Sequence, residues 1–238
     1  MSEPIRLSKR VIELTQCSRS QADQYIEGGW VKVGGQVVEK PHFLVHDELV
    51  EIDPDAQLGP VEPATMLLHR PALAPDDPTL TDPVLTADTR SSDDRTGVRI
   101  LQRHLHHLTP LVPLEAAASG LVLLSQNPSL IQAMRRDGAR LEQEFLLDVT
   151  GTVGPGTLRQ IAHTIGVDSH GVPYAKVSLQ SEQRLRVALQ DVRPGELAHA
   201  CSAVGLTVVS LRRVRLGRIP LAKLPPGQWR YLDRRERI

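Results

Sequence analysis

Between residues 53 and 63 the chain carries Pro54, Gly59, Pro60 and Pro63, and no regular helix or strand runs through such a stretch. This break constrains the fold more than any other feature. The segment 1–53 lies near the lower size limit for an independent core, 54–63 reads as a linker, and 64–238 has the length of an ordinary domain.

The first segment reads as a small α-α-β unit. Ser8 is placed to cap a helix over 9–14, and Ser18 a second over 19–27 that Gly28 and Gly29 stop. Val31-Lys-Val33 and Gln36-Val-Val38 flank Gly34-Gly35, a two-residue hairpin signal, and a strand over 48–52 closes the unit.

The second segment opens with a strand over 65–69. Residues 71–95 follow, with six Asp against two Arg among Pro, Ser and Thr, so an acidic mobile loop is expected there. Helices are expected over 99–107, 129–137, 157–165 and 196–204, with Asn127 capping the second and Pro128 in its first turn. Strands are expected over 121–125, 145–149, 176–179, 184–189 and 207–214. Arg184-Leu-Arg-Val-Ala-Leu189 alternates as a half-buried strand does. Strands and helices mix without strict βαβ alternation, which indicates an α+β domain.

Several function classes drop out. No apolar run approaches the roughly 20 residues that span a bilayer. The start, MSEPIRLSKR, lacks an apolar targeting core, so a cytoplasmic protein is expected. Cys17 and Cys201 are the only cysteines, too few for a disulfide scaffold or an all-cysteine zinc site. His104-Leu-His-His107 has no carboxylate or cysteine at ligand spacing and reads as a polar helix face. Gly151-Thr-Val-Gly-Pro-Gly156 is a loop, because Pro155 breaks any dinucleotide fingerprint. Ser119-Gly120 lacks the strand-to-helix surroundings of an acyl-transfer nucleophile. No metal and no cofactor are expected.

Net charge is zero, with 28 basic and 28 acidic residues, so only its distribution can point to a partner. Residues 211–238 hold nine basic and two acidic residues, either a phosphate-contacting surface or a solvated face.

Specific motifs then narrow the choice. Arg6-Leu-Ser-Lys9, Cys17-Ser-Arg-Ser20, Ala22-Asp23, Tyr25-Ile26, Gly29-Trp-Val31 and Val33-Gly-Gly35 resemble the small RNA-binding module of ribosomal small-subunit protein S-four. The remainder is similar to the rRNA pseudouridine synthases of the single-site type that carry this module in front. The matching text is Leu67-Leu-His-Arg-Pro71, Pro113-Leu-Glu-Ala-Ala-Ala-Ser-Gly-Leu-Val-Leu-Leu-Ser125, Glu142-Gln-Glu-Phe145, Leu211-Arg-Arg-Val-Arg-Leu-Gly217, Ile219-Pro-Leu221 and Gly227-Gln-Trp-Arg-Tyr-Leu232. The resemblance implies an α+β fold: an α-α-β RNA-binding module, then a synthase-like domain with a mixed, largely antiparallel sheet. It implies a protein that acts on structured RNA, rRNA or a ribosomal precursor, as a monomer and without cofactor, metal or membrane.

The resemblance also assigns site residues. Arg6, Lys9, Arg10, Ser18, Arg19 and Lys32 fall in the RNA-binding module. Glu115 falls on the family's catalytic Asp, Phe145 on its base-stacking Tyr, and Arg213 on the Arg that pairs with the catalytic carboxylate. Around them the family's residues are replaced: its Arg by Pro113, its Thr by Ala118, its Lys by Gln143, the Lys before Pro by Arg70. Its Arg-rich helix falls on Pro194-Gly-Glu-Leu-Ala-His199.

The chemistry needs a uridine taken out of the stack and an ionised carboxylate at one fixed distance from its ribosyl centre. Glu115 has that group on a stem one methylene longer, and misplacement on the order of 1 Å costs roughly 100-fold. Phe145 offers a π-face but no phenol hydroxyl. The expectation is therefore an RNA-binding member of this family with weak or no isomerase activity. The alternative is an active synthase that uses Glu115, Phe145 and Arg213, and a third class is a protein-binding adaptor. Glu115 is further expected at the end of a strand near Arg213, without a short ion pair between them.

Overall fold

The N-terminal helices form because their apolar residues recur at helical spacing. Leu7 and Val11 share one face of α1 (Leu7–Thr15), and Ala22 and Ile26 one face of α2 (Arg19–Glu27), and all four are buried in one core. Here and below the structure is a computed structural model describing residues 3–72 and 85–238. It divides into two units, Met1–Pro63 with Val98–His107, and Ala64–Gly97 with Leu108–Ile238.

In the first unit β1 (Ile5–Arg6) leads into α1. Ser18 caps α2 in a reciprocal box: its Oγ accepts from the Gln21 N–H at 3.3 Å and its own N–H donates to Gln21 Oε1 at 2.9 Å. Ser8, expected as the cap of α1, is instead a buried residue inside the helix. Arg6 takes the cap position, and the Leu7 and Ser8 N–H groups donate to the carbonyls of Phe43 and Pro41 at 2.7 and 3.0 Å. Backbone carbonyls thus satisfy the end that a side chain was expected to satisfy.

Then come β2 (Val31–Val33), β3 (Gln36–Val37), β4 (Leu44–Val45) and β5 (Val50–Ile52). Gly34 and Gly35 join β2 to β3 at φ 55 and 82°, both left-handed as a two-residue hairpin requires. The three-stranded sheet runs β3-β2-β5, and β1 pairs with β4.

Residues 98–107 belong to this unit. The helix expected over 99–107 is one 3-10 turn, Gln102–Leu105, and the polar-face reading fails for His104, which is buried, whereas His106 and His107 are exposed. Anchors set the path. Arg99 lies 3.9 Å over the Trp30 ring and donates to Asp53 at 2.7 Å, and the Gln102 N–H donates to the Glu39 carboxylate.

The second unit contains β6 (Thr65–Arg70), β7 (Thr109–Pro110), β8 (Ser119–Ser125), α3 (Pro128–Asp137), β9 (Gln143–Thr150) and α4 (Thr157–Ile165). β10 (Lys176–Ser181), β11 (Arg184–Leu189), α5 (Glu196–Ser202), β12 (Thr207–Leu216), β13 (Ile219–Pro220) and β14 (Trp229–Tyr231) complete it. Asn127 caps α3 through its Oδ1, as its sequence position indicates. The sheet order is β10-β11-β9-β12-β8-β6-β14, with β13 on β12 and β7 on β8. Every pairing is antiparallel except β12 with β8. At that parallel join Gly120 lies opposite Arg213 with φ +103°, and a Cβ there would stand 2.2 Å from the Arg213 carbonyl oxygen. Only glycine lets the two strands meet.

Two aliphatic cores follow. One packs α4 and α5 on β9 and β11 through Phe145, Leu147, Ile161, Leu185 and Leu197. The other packs α3 near β6, β8 and β12 through Leu67, Leu121, Leu123 and Leu216.

Of the acidic loop expected over 71–95, residues 73–84 lie outside the described residues. Residues 85–95 depart from the expectation of a mobile loop, because they are tied to β14. The Trp229 Nε1–H donates to the Thr86 carbonyl at 2.8 Å, and the Ser91 N–H to the Trp229 carbonyl at 2.7 Å. Burial pushes the Asp94 carboxyl up, but donors on Arg90, Thr96 and the Tyr231 backbone outweigh it and hold the group down at about 2.

Candidate active site

β9 presents Gln143 and Phe145 on one face and Glu144 on the other, because side chains alternate along a strand. Gln143 and Phe145 line a cleft of about 610 Å³ inside the second unit. Loop 109–115, the C-terminal end of α3, residues 191–194 and the start of α5 complete it. Its walls are largely apolar, with Glu115, Gln143, Arg135, Asp191 and Arg193 as its ionisable or amide groups.

Two buried arginines hold the loop that carries Glu115. Arg213 is fully buried on β12. Its Nε donates to the Leu121 carbonyl at 2.8 Å, Nη1 to the Pro113 carbonyl at 3.1 Å and to Gln143 Oε1 at 2.9 Å, and Nη2 to the Val112 carbonyl at 3.0 Å. Burial pulls its pKa down to about 9, and the nearby Arg70 charge acts the same way, so it stays protonated at neutral pH. Arg70, at the end of β6, donates to the carbonyls of Leu114, Glu115 and Ala118. The two guanidiniums therefore shape residues 112–118 through backbone oxygens.

Glu115 is half-buried in that loop, four residues before β8, rather than at a strand end. Its Oε2 accepts the Gly195 N–H at 2.6 Å. Among the described residues no carboxylate is a partner of Arg213. Phe145 lines the cleft while only 2% exposed, and Ala118 is buried in the same core. The structure thus brings Glu115, Phe145 and Gln143 to one cleft and sets Arg213 behind Gln143.

The RNA-binding candidates lie on the first unit, and all are exposed. Arg6 caps α1, Lys9 and Arg10 follow on its first turns, Arg19 opens α2, and Lys32 points out of β2. Arg10 pairs with Glu13 at 3.4 Å, and Ser18 spends its hydroxyl on the cap.

Three groups were not singled out as site residues from sequence: Arg70, Gln143 and Gly195. The alternation of Gln143 with Phe145 was a usable signal for the second. Nothing in the sequence spacing linked Gly195 to Glu115, 80 residues away.

Residues 5–50 match the S4 domain family. The dual-specificity RNA pseudouridine synthase RluF of Escherichia coli K12 is 25% identical over 241 residues, covering 98% of this chain and 77% of that protein. An uncharacterized RNA pseudouridine synthase of Aquifex aeolicus is 27% identical over 240 residues, covering 98% of this chain and 92% of that protein. A solved pseudouridylate synthase structure superposes with a TM-score of 0.52 at 21% identity, covering 96% of each chain, which shows the fold. With an S4 domain in front, the chain is similar over 98% of its length to the family of RNA pseudouridine synthases.

Proposed function

We propose that the chain is an RNA-binding member of this family with weak or no uridine isomerase activity, acting in the cytoplasm as a monomer on structured rRNA or a ribosomal precursor. Residues 1–53 serve as the RNA-binding module, 54–63 as a linker and 64–238, apart from the 98–107 segment that belongs to the first unit, as the synthase-type domain. The observation that carries the reading is the partner set of Arg213. Its donors serve three carbonyls and the Gln143 amide, while the Glu115 carboxylate is held by a backbone N–H of Gly195. A working carboxylate needs a fixed orientation and a charged partner where the transition state forms. Pro113 and Ala118 supply neither a donor nor a hydroxyl beside it.

One observation favours the alternative of an active synthase: Glu115 and Phe145 line the same cleft. Tritium release from 5-tritiated uridine RNA separates the two. The expected result is background release by wild type and by Glu115→Asp. Release by wild type that vanishes in Glu115→Gln would establish the enzyme instead. In parallel, reversing Lys9 and Arg19 to Glu should weaken binding of a structured RNA several-fold and flatten its salt dependence, since each duplex phosphate contact releases about 0.9 counterion. Unchanged binding would remove the first unit from the RNA interface.

A further inference from the structure

The basic C-terminal stretch does not act as one block. Of its nine basic residues, Arg213, Arg215 and Arg230 are spent inside the fold, the first on carbonyls and Gln143, the other two mainly on glutamates. Arg218 and Arg237 are exposed. A Cβ on Gly217 would stand 3.5 Å from Leu141 Cδ2 and 3.6 Å from the Ile238 C-terminal carbon, and Leu141 and Ile238 share an apolar cluster with Met134 of α3. Arg218, Arg140 and Arg237 each sit one residue from this contact, so their Cα atoms lie within roughly 20 Å of one another. Arg135 and Arg136, also exposed, stand in the last turn of α3 just before Arg140. The fold thus gathers exposed arginines from three segments that are distant in sequence.

Few acids answer them. Asp137 bonds Arg136 at 2.8 Å and lies 3.9 Å from Arg140, and Glu142 is taken by Arg215 at 2.5 Å. Asp191, whose N–H donates to the Ala139 carbonyl at 2.8 Å, lines the cleft together with Arg193. Among the described residues the side chains of Arg135, Arg218 and Arg237 meet no carboxylate. Five arginines against Asp137 leave an excess of four positive charges, and of three with a carboxylate counted at Ile238. Arg135 and Arg136 also suit the negative end of the α3 dipole, but Arg218 and Arg237 lie on no helix, so the dipole does not account for the cluster.

We infer that this cluster is a second RNA-backbone site, which holds phosphates of a structured RNA beside the cleft. Arginines that served only the fold would have partners, as Arg215 does. Among the described residues no large apolar side chain is exposed over 127–141 or 211–238, so this surface lacks the apolar anchors that a protein partner would bury. A chain of repeated phosphates needs no such anchor, and forked guanidiniums suit its oxygens. Arg135 also lines the cleft, so a strand held on the cluster passes the cleft mouth. This inference rests on the RNA-directed reading above and adds to it a contact surface in the second unit, apart from both the cleft interior and the first-unit residues.

The test uses the full chain and a base-paired RNA hairpin, with poly-glutamate and anionic phosphatidylglycerol vesicles as the competing polyanions, and reads Kd across a salt series. Arg218→Glu with Arg237→Glu should weaken hairpin binding at least five-fold. It should lower the slope of log affinity against log salt by about 1.8, two contacts at about 0.9 counterion each. Arg140→Glu, in a separate segment, should lower the slope by about 0.9. Arg159→Glu with Lys176→Glu makes the same change in net charge at exposed positions of α4 and β10, and should weaken binding less than two-fold. All variants should keep the wild-type thermal midpoint. Equal weakening by the two double variants would trace the effect to net charge and overturn the site, as would an unchanged slope in Arg140→Glu. Poly-glutamate or vesicles bound as tightly as the hairpin, and lost in the same variants, would assign the surface to another partner and overturn it as well. Hairpin binding that survives unchanged in Arg218→Glu with Arg237→Glu refutes this inference and leaves the RNA-binding reading intact. Wild type that binds no hairpin even at low salt refutes that reading itself.

Discussion

Arg213 and Arg215 stand two residues apart on β12, with an irregularity in register between them, and they keep opposite company. Arg215 donates to Glu142 and Glu144 and to the Gly217 carbonyl. Glu144 also takes Arg186, and farther along β9 Asp148 takes Arg184 and the Ser210 hydroxyl. That face of β9 closes its own charges. The opposite face, with Gln143 and Phe145, sets a buried cation against carbonyls and one amide, and it borders the cleft. Charges that neutralise one another hold strands in register; a charge satisfied only by dipoles leaves a positive field that a bound ligand can use.

The comparison breaks most visibly at Arg213. Arg213→Met would leave three carbonyls and the Gln143 oxygen without their donor in a buried site, each a cost of roughly 1–3 kcal/mol before relaxation. We expect a loss on the order of 3–5 kcal/mol by urea denaturation, against about 1 kcal/mol for the partly exposed Arg215→Met. Equal losses would mean that the two faces are not different in kind.

Glu144→Gln sharpens it next. Glu144 is buried between Arg186 and Arg215; burial raises its pKa, but the bonds and charges of Arg186 and Arg215 outweigh that and leave it lowered from 4.5. A carboxyl lowered on folding contributes stability above its unfolded pKa and loses it as pH falls through the folded value. The variant should therefore be about 1–2 kcal/mol less stable at pH 7, and the gap should close on acidification below 4.5. A gap that persists at pH 2 would assign the loss to packing instead.

These contrasts also show what the sequence could and could not reveal. Regular elements were legible where local chemistry decides: the Ser18 cap, the Gly34-Gly35 turn, the Asn127 cap and the alternation of β11 are all intact. The 3-10 turn at Gln102–Leu105 was not, because Arg99 and Glu39, distant in sequence from their partners, set its path. In the site, Glu115 and Phe145 do share a cleft, but the partner set of Arg213 was hidden. An arginine reads as a cation in sequence, and only the fold tells whether it meets a carboxylate or the carbonyls of a loop 100 residues earlier.

The smallest effect belongs to the exposed end of the ladder, where Arg184 and Asp148 pair at 2.6 Å with nearly half of each side chain in water. Such a pair contributes little, because solvent competes for both charges and long side chains lose rotamer freedom in forming it. Arg184→Met should leave stability almost unchanged, and 1 M salt, with a screening length of about 3 Å, should erase any difference. The pair is better seen at Asp148 itself. Its carboxyl is held below 3.8 first by the Arg184 bond and then by the Ser210 hydroxyl, with the Arg212 charge adding to them. In Arg184→Met its titration, followed by carbon-detected NMR, should move up toward 3.8 without reaching it, since Ser210 and Arg212 remain. An Asp148 titration that does not move would show that Ser210, not the ion pair, sets the charge on this face.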